Sequence, residues 1–405
     1  MKDIQTIKRD YLLRILSAAT FIIFFQLYMV APLIPSLSHF FKVSEQKVGL
    51  IVPAYLLPYG IATLFYGLLS DKIGPKKIIL TSLFVFSILT ALTAFSQSVN
   101  QLIFWRLITG IGASGVVPIA LAWIGQTYAF EERGRPLGWL FGAMAGGGAF
   151  GSSVGVIVEP FTGWKMLFIG VAVTGAAIWL ILFRAYQKTV APKVVQNVLT
   201  IGKVFNGYKQ LLSSQRGITA YVFVLLNAIF HAGVFTWLGL YFERTFDLNG
   251  VEIGLALLGY GIPGFLLGPY IGKLADKLGR RKLLPLGLGL SALSSLLLVF
   301  NIPLGLAAFA VTILSMGYDL TQPLLAGIIT QVGKERSGQA MSLNVFMLFV
   351  GFGVGSYLFG LALKLSLAQA LIIFSIFQVT LTLMAFQLFR KETNISITSS
   401  VTIPH

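Results

Sequence analysis

Cysteine is missing from all 405 residues, which excludes disulfides, thiolate metal ligands and a cysteine nucleophile and leaves the redox compartment undetermined. Acidic side chains are scarce, with 14 Asp and Glu against 30 Lys and Arg. Histidine occurs three times, at His39, His231 and His405, too scattered for a metal-binding motif. No G-x-x-x-x-G-K-[ST] phosphate loop is present, and the GxGxxG-like clusters fall inside long apolar runs. No cofactor, metal or enzymatic chemistry is therefore expected, and ATP-driven work is disfavoured. Charged residues make up 11% of the chain, against about 25% in soluble domains. With 56% hydrophobic residues, this chain is expected to dissolve in lipid.

What is present is a series of twelve apolar runs separated by short polar breaks. They lie near residues 13–37, 47–69, 77–96, 101–127, 134–158, 164–184, 218–242, 251–272, 283–300, 303–331, 338–361 and 367–389. A helix of about 20 apolar residues crosses the hydrocarbon core, whereas a membrane β-barrel needs shorter, alternating segments. The reading is an all-α membrane protein with 12 transmembrane helices. The first run has a basic flank but is too long for a cleavable signal peptide and lacks a small-residue cleavage site, so it is read as the first span.

The net charge of +16 does not point to nucleic acid, because its distribution follows the breaks. With a cytoplasmic N-terminus, 24 Lys and Arg fall on the cytoplasmic side. Five, Lys42, Lys47, Lys165, Arg244 and Lys364, fall on the other, and Arg106 lies within a run. That is the positive-inside bias, with both termini cytoplasmic. The longest polar break, 185–217, divides the chain into halves 1–184 and 218–405 of six runs each. Within it Val198, Ile201, Phe205, Tyr208 and Leu212 recur at helical spacing, with Lys203 and Lys209 off the stripe. This predicts a short amphipathic helix, either on the membrane interface or packed on the protein.

The halves repeat each other. GLLSDKIGPKK begins at Gly67 and GKLADKLGRRK at Gly272, 205 residues later, with six of eleven positions identical. At the same offset Gly49 meets Gly254, Tyr55 meets Tyr260, Pro58 meets Pro263, Gly112 meets Gly317 and Pro118 meets Pro323. Six spans return the chain to its starting side, so the copies are parallel, and a site between them can open to either side by rocking.

These features resemble the major facilitator superfamily over nearly the whole chain, most specifically in the loop signature G-x-L-a-D-R-x-G-R-K. The first copy supplies Gly67, Leu69, Asp71, Lys72, Gly74, Lys76 and Lys77, with Pro75 where the family has Arg. The second supplies Gly272, Asp276, Lys277, Gly279, Arg280 and Arg281. The resemblance implies two pseudo-symmetric six-helix bundles and a loop that latches the halves on the cytoplasmic side. Physically, Gly67 and Gly272 would let helices approach closely, and Gly74 and Gly279 would take positive φ in a tight turn. The plain alternative is a solvated basic turn. Arg106 begins an R-x-x-x-G pattern with Gly110 that looks like the family's proton-transfer motif, although an arginine there could equally snorkel to the membrane edge. Gly138, Gly147, Gly151 and Gly155 resemble the exporters' glycine signature, with Ser152 and Val156 departing from it. A ridge of small residues for helix packing at Gly147, Gly151 and Gly155 is the plain alternative.

Asp319 is the one acidic residue deep within a run, and its repeat partner is Ser114. An intramembrane carboxylate is a functional candidate by default, against a buried structural carboxylate. His231 is the second candidate, against a hydrogen-bonded core histidine. In the family the first, fourth, seventh and tenth spans line the cavity. That adds Gln26, Tyr28, Arg106, Asn227, Trp237, Tyr318 and Gln322. A wall of aromatics with few polar anchors suits a lipophilic or amphipathic small molecule, cationic if Asp319 is ionised. The expectation is an alternating-access secondary transporter, resembling drug:proton antiporters, that exports its substrate using the proton gradient. It is expected to be monomeric and in a bacterial inner membrane. A metabolite importer and a transporter-like membrane sensor are the alternatives.

Overall fold

A computed structural model describes residues 2–128, 132, 134–187, 201–263, 266, 279–333, 336–390 and 392. Among these residues the chain is helical throughout, without strands. The first run forms α1 (Lys2–Tyr28), a 3-10 turn (Ala31–Leu33) and α2 (Ile34–Phe41). Pro32 and Pro35 lack the N–H groups that a continuous helix would use, so the chain breaks there. After α3 (Glu45–Gly49) come α4 (Pro53–Ile73) and α5 (Pro75–Ala94). The fourth run is split into α6 (Val99–Ala113) and α7 (Val117–Thr127), and α8 (Gly134–Thr162) and α9 (Trp164–Gln187) follow.

The second half repeats this order after α10 (Ile201–Ser213). Its seventh run splits into α11 (Gln215–Thr236) and α12 (Leu238–Phe246), and the eighth begins as α13 (Gly250–Ala256) before leaving the described residues. The remaining helices are α14 (Arg280–Leu297), α15 (Leu304–Val332), α16 (Ser337–Ala362) and α17 (Leu367–Leu388). Among the described residues, ten segments are long and apolar enough to cross a membrane. The ninth run is not among them, since α14 opens on Arg280, Arg281 and Lys282.

The repeat is visible in the backbone. Lys42 and Asp247, 205 residues apart, are the non-glycine residues with positive φ among the described residues, at 54° and 56°, and each ends a short helix. Ser44 caps α3 and Asn249 caps α13, the latter in a capping box with Glu252. Gly74 and Gly279 take φ of 92° and 78°, as the loop signature requires.

Close helix approach explains most of the glycine pattern. A Cβ on Gly147 would stand 2.5 Å from the Phe21 carbonyl oxygen of α1, and one on Gly151 would collide with the Phe25 carbonyl. In the second half, Gly351 and Gly355 press in the same way on the Leu225 and Ile229 carbonyls of α11. Seam α1–α8 therefore corresponds to seam α11–α16. The halves meet where α4 packs on α16 and α8 on α13, with Gly353 against Leu57 and Gly254 against Ser153 and Ile157.

One glycine expectation is corrected. Among the described residues nothing lies within 4 Å of a Cβ placed on Gly67, so it is not a site of close approach; the same holds at Gly138, outside the packing ridge of Gly147, Gly151 and Gly155. The amphipathic helix exists as α10, but its buried seam is Tyr208 and Leu211, packed among Tyr221, Phe223 and Ile328, while Phe205 is 53% exposed. Val198 lies outside the described residues, as do Gly272, Asp276, Lys277 and the side chain of Asp71.

Candidate functional site

The richest polar and aromatic cluster of the second half forms around His231. Helix α11 is buried along most of its length, and His231 is 3% exposed. Its ring stacks on Tyr318 of α15 at 3.7 Å between centroids, and its Nε2 shares a hydrogen bond with the Tyr260 hydroxyl. Phe235, one helical turn on, stacks on Tyr260 at 4.3 Å, and Phe352 of α16 closes another side at 5.9 Å from the imidazole. Tyr28 of α1 enters from the first half, 5.2 Å from Phe235. Beside Tyr318 on α15 stands Asp319, whose Oδ2 accepts a hydrogen bond from Ser315 at 3.2 Å. The carboxylate lies within electrostatic reach of the Tyr28, Tyr260 and Tyr318 hydroxyls.

Asp319, His231, Tyr28 and Tyr318 thus come together, although no hydrogen bond or ion pair joins His231 to Asp319. The imidazole Nδ1 is buried with no partner among the described residues. A buried polar atom of this kind is costly unless it is used, so it is available to a proton or a ligand. Chemically, the arrangement offers one carboxylate, one imidazole and several ring faces, a combination suited to an amphipathic cation.

Arg106 is fully buried, which removes the snorkelling alternative. Its Nη1 donates to Gln26 Oε1 at 2.9 Å, its Nε to the Ile51 carbonyl at 3.3 Å, and its guanidinium lies 4.1 Å over the Tyr55 ring. Gln26 in turn donates to Thr90 at 3.3 Å. Among the described residues no carboxylate pairs with Arg106, and its Nη2 has no partner. Gln26 and Tyr55 are the 205-residue counterparts of His231 and Tyr260, so the two halves build related polar nodes with different chemistry.

The other candidates are placed elsewhere. Asn227 donates to Thr321 at 2.8 Å and accepts from Gln378 at 3.0 Å, which ties α11, α15 and α17 together. Trp237 wedges between Gly49 and Gly360 and donates its indole N–H to the Ser356 carbonyl, away from the His231 cluster. Gln322 is half-buried with its Nε2 unpartnered among the described residues. Phe235 and Phe352 were not singled out by sequence, although Phe235 stands four residues after His231, the spacing of one helix face.

Two described residues of the loop signature bond within the bundle that carries them. Lys76 Nζ donates to the Tyr186 carbonyl at 2.7 Å, and Arg280 reaches Glu392 at 3.8 Å. Glu392 is also held by Arg216 in a two-pronged pair at 2.5 and 2.8 Å. Among the described residues, ion pairs between the halves occur at the end carrying α2 and α12, Arg244 with Glu45 at 2.9 Å and His39 with Glu243 at 3.2 Å. These pairs are partly exposed, so a double-mutant cycle of Arg244→Gln with Glu45→Gln is expected to give a thermal-stability coupling within about 1 kcal/mol. A coupling several times larger would make these pairs, rather than the glycine-lined seams, the main closure of that face.

A sequence profile described as Major Facilitator Superfamily matches residues 16–355 and 225–400. The chain is 22% identical to "Multidrug resistance protein 2" of Bacillus subtilis over 360 residues, covering 87% of this chain and 89% of that protein. It is 26% identical over 381 residues to the "Probable sulfoacetate transporter SauU" of Cupriavidus necator, covering 86% and 85%. The crystal structure of a bacterial homologue of the human lysosomal transporter Spinster, inward-facing and unoccupied, superposes with a TM-score of 0.78 at 16% identity. That superposition covers 95% of this chain and 98% of the other, a likeness of fold.

Proposed function

Since this chain belongs to the Major Facilitator Superfamily, a family of multi-pass membrane transporters, we propose that it is a proton-coupled exporter of amphipathic organic cations. The observation that carries this reading is Asp319 within electrostatic reach of Tyr28, Tyr260 and Tyr318, where the two halves face each other. A carboxylate beside aromatic faces attracts an organic cation, and the same carboxylate can take a proton instead. Exchange of one for the other across two conformations couples their movements, each ligand shifting the population by its differential affinity. The energy source is then the proton gradient, with no resident cofactor. The working unit is a monomer in a bacterial inner membrane, with both termini cytoplasmic.

A second reading, uptake of an organic anion, draws on Arg106, a buried cation with no carboxylate partner among the described residues. Proteoliposomes with an imposed proton gradient separate the two. The exporter reading expects concentrative, gradient-dependent movement of tetraphenylphosphonium or ethidium opposite to the proton. Gradient-driven cotransport of sulfoacetate, with no cation movement, would replace it. Binding without any flux would support the sensor alternative.

The topology carries its own prediction. Single cysteines at Asn206 and Ser98, introduced into this cysteine-free chain, are expected to react with a membrane-impermeant maleimide from opposite sides, Ser98 from outside intact cells. Labelling of Asn206 from outside would reverse the orientation.

A further inference from the structure

The face that the charge count assigns to the outside holds few cations, and the structure gives two of them a use. Arg244 is paired with Glu45, and Lys165 lies over the Phe40 and Trp164 rings. Lys47 and Lys364 are different. Both are exposed, neither has an ion pair among the described residues, and they line the same groove, one from each half of the chain.

The groove has a volume of about 200 Å³ and is lined by Lys47 and Leu50 of the first half and by Trp237, Ser356, Leu361 and Lys364 of the second. A water's share of the liquid is about 30 Å³, so there is room for several methylene groups. Its lining is mostly carbon, with the buried Trp237 ring at its base. Tyr357 and Leu361, 46% and 39% exposed, open it on the exposed side of α16. Ser356 is 1% exposed, and its hydroxyl has no partner among the described residues.

We propose that this groove binds an anionic phospholipid of the outer leaflet, its phosphate between Lys47 and Lys364 and one acyl chain along Tyr357 and Leu361. Ser356 donates to an ester or phosphate oxygen. Three features converge on that occupant: two cations kept on the face where the positive-inside bias selects against them, an apolar lining, and an opening towards lipid. Because each half supplies one lysine, the groove is complete only while α3 and the end of α16 stand together. A bound lipid therefore holds that face closed, and conformations open to the other side are favoured by its differential affinity. The leaflet rests on the topology reading and the headgroup preference does not, so failure of one leaves the other standing.

The test uses the full-length protein in detergent, titrated with phosphatidylglycerol or phosphatidylcholine and read by native mass spectrometry and thermal midpoint. Phosphatidylglycerol is expected to bind and stabilise, and Lys47→Gln and Lys364→Gln to weaken it about fivefold each. Lys42→Gln, outside the groove, is expected to leave binding unchanged. The charge-keeping pair Lys47→Arg and Lys364→Arg is expected to retain it, which separates loss of charge from loss of folding. Glycerol phosphate, which has the anion but no chains, is expected neither to bind nor to compete. Equal retention of phosphatidylcholine, wild-type affinity in the double glutamine variant, or competition by glycerol phosphate would each overturn the proposal.

Discussion

Asp319→Asn is expected to reduce proton-driven accumulation of an organic cation in proteoliposomes to the passive leak, while a neutral ligand of the same site still binds. The substitution keeps the side chain's shape and its capacity to accept the Ser315 hydroxyl, the bond seen at 3.2 Å. What is lost is the negative charge and the proton that replaces it. Asp319 stands 13 residues from the end of α15, about 20 Å along the helix axis, where an ionised carboxylate is costly unless a cation or proton attends it. A structural carboxylate predicts the opposite result, because asparagine would satisfy the same neighbours and transport would continue. His231→Gln is expected to act more mildly, shifting the pH dependence of transport, since His231 reaches Tyr260 and Tyr318 rather than Asp319 itself. Undiminished proton-driven accumulation by Asp319→Asn would remove the residue from the coupling step and return attention to Arg106.

The spans were legible because a hydrophobic run of the right length has few alternatives in lipid. The runs predicted at 303–331 and 338–361 appear as 304–332 and 337–362. Interruptions within runs were harder to read. The break before α2 carries Pro32 and Pro35, but the corresponding break at Trp237 carries no proline and is imposed by packing against Gly49 and Gly360. Residue type showed that Asp319 and His231 were unusual at membrane depth. It could not show which neighbours each would meet, because Tyr28 and Phe352 come from helices far apart in the chain. Arg106 illustrates the same limit. Its position along the run left snorkelling open, and only the arrangement of Gln26, Ile51 and Tyr55 around it removes that reading. The loop signature was recognisable from its letters and its positive-φ glycines, whereas the partners of Lys76 and Arg280 within their own halves depend on tertiary packing.

Gly355→Ala and Gly151→Ala are expected to lower the unfolding midpoint of the purified protein markedly, and Gly138→Ala to leave it unchanged or slightly higher. One methyl group is added in every case, so the helix-propensity gain from Gly to Ala, up to about 1 kcal/mol, is common to all three. The difference lies in what the methyl meets. At Gly355 it collides with the Ile229 carbonyl of α11 and at Gly151 with the Phe25 carbonyl of α1, backbone atoms that move only if the whole helix moves. At Gly138 nothing lies within 4 Å. Overpacking of a tight interface costs about 1–3 kcal/mol, enough to outweigh the propensity gain at the two seams. The same series asks what the α8 glycines are for. If Gly147, Gly151 and Gly155 serve packing, the matching glycines of α16, which stand in no exporter signature, must be equally intolerant, and Gly138 must tolerate alanine in both stability and transport. Loss of export by Gly138→Ala with stability intact would instead give that position a role in transport beyond helix packing.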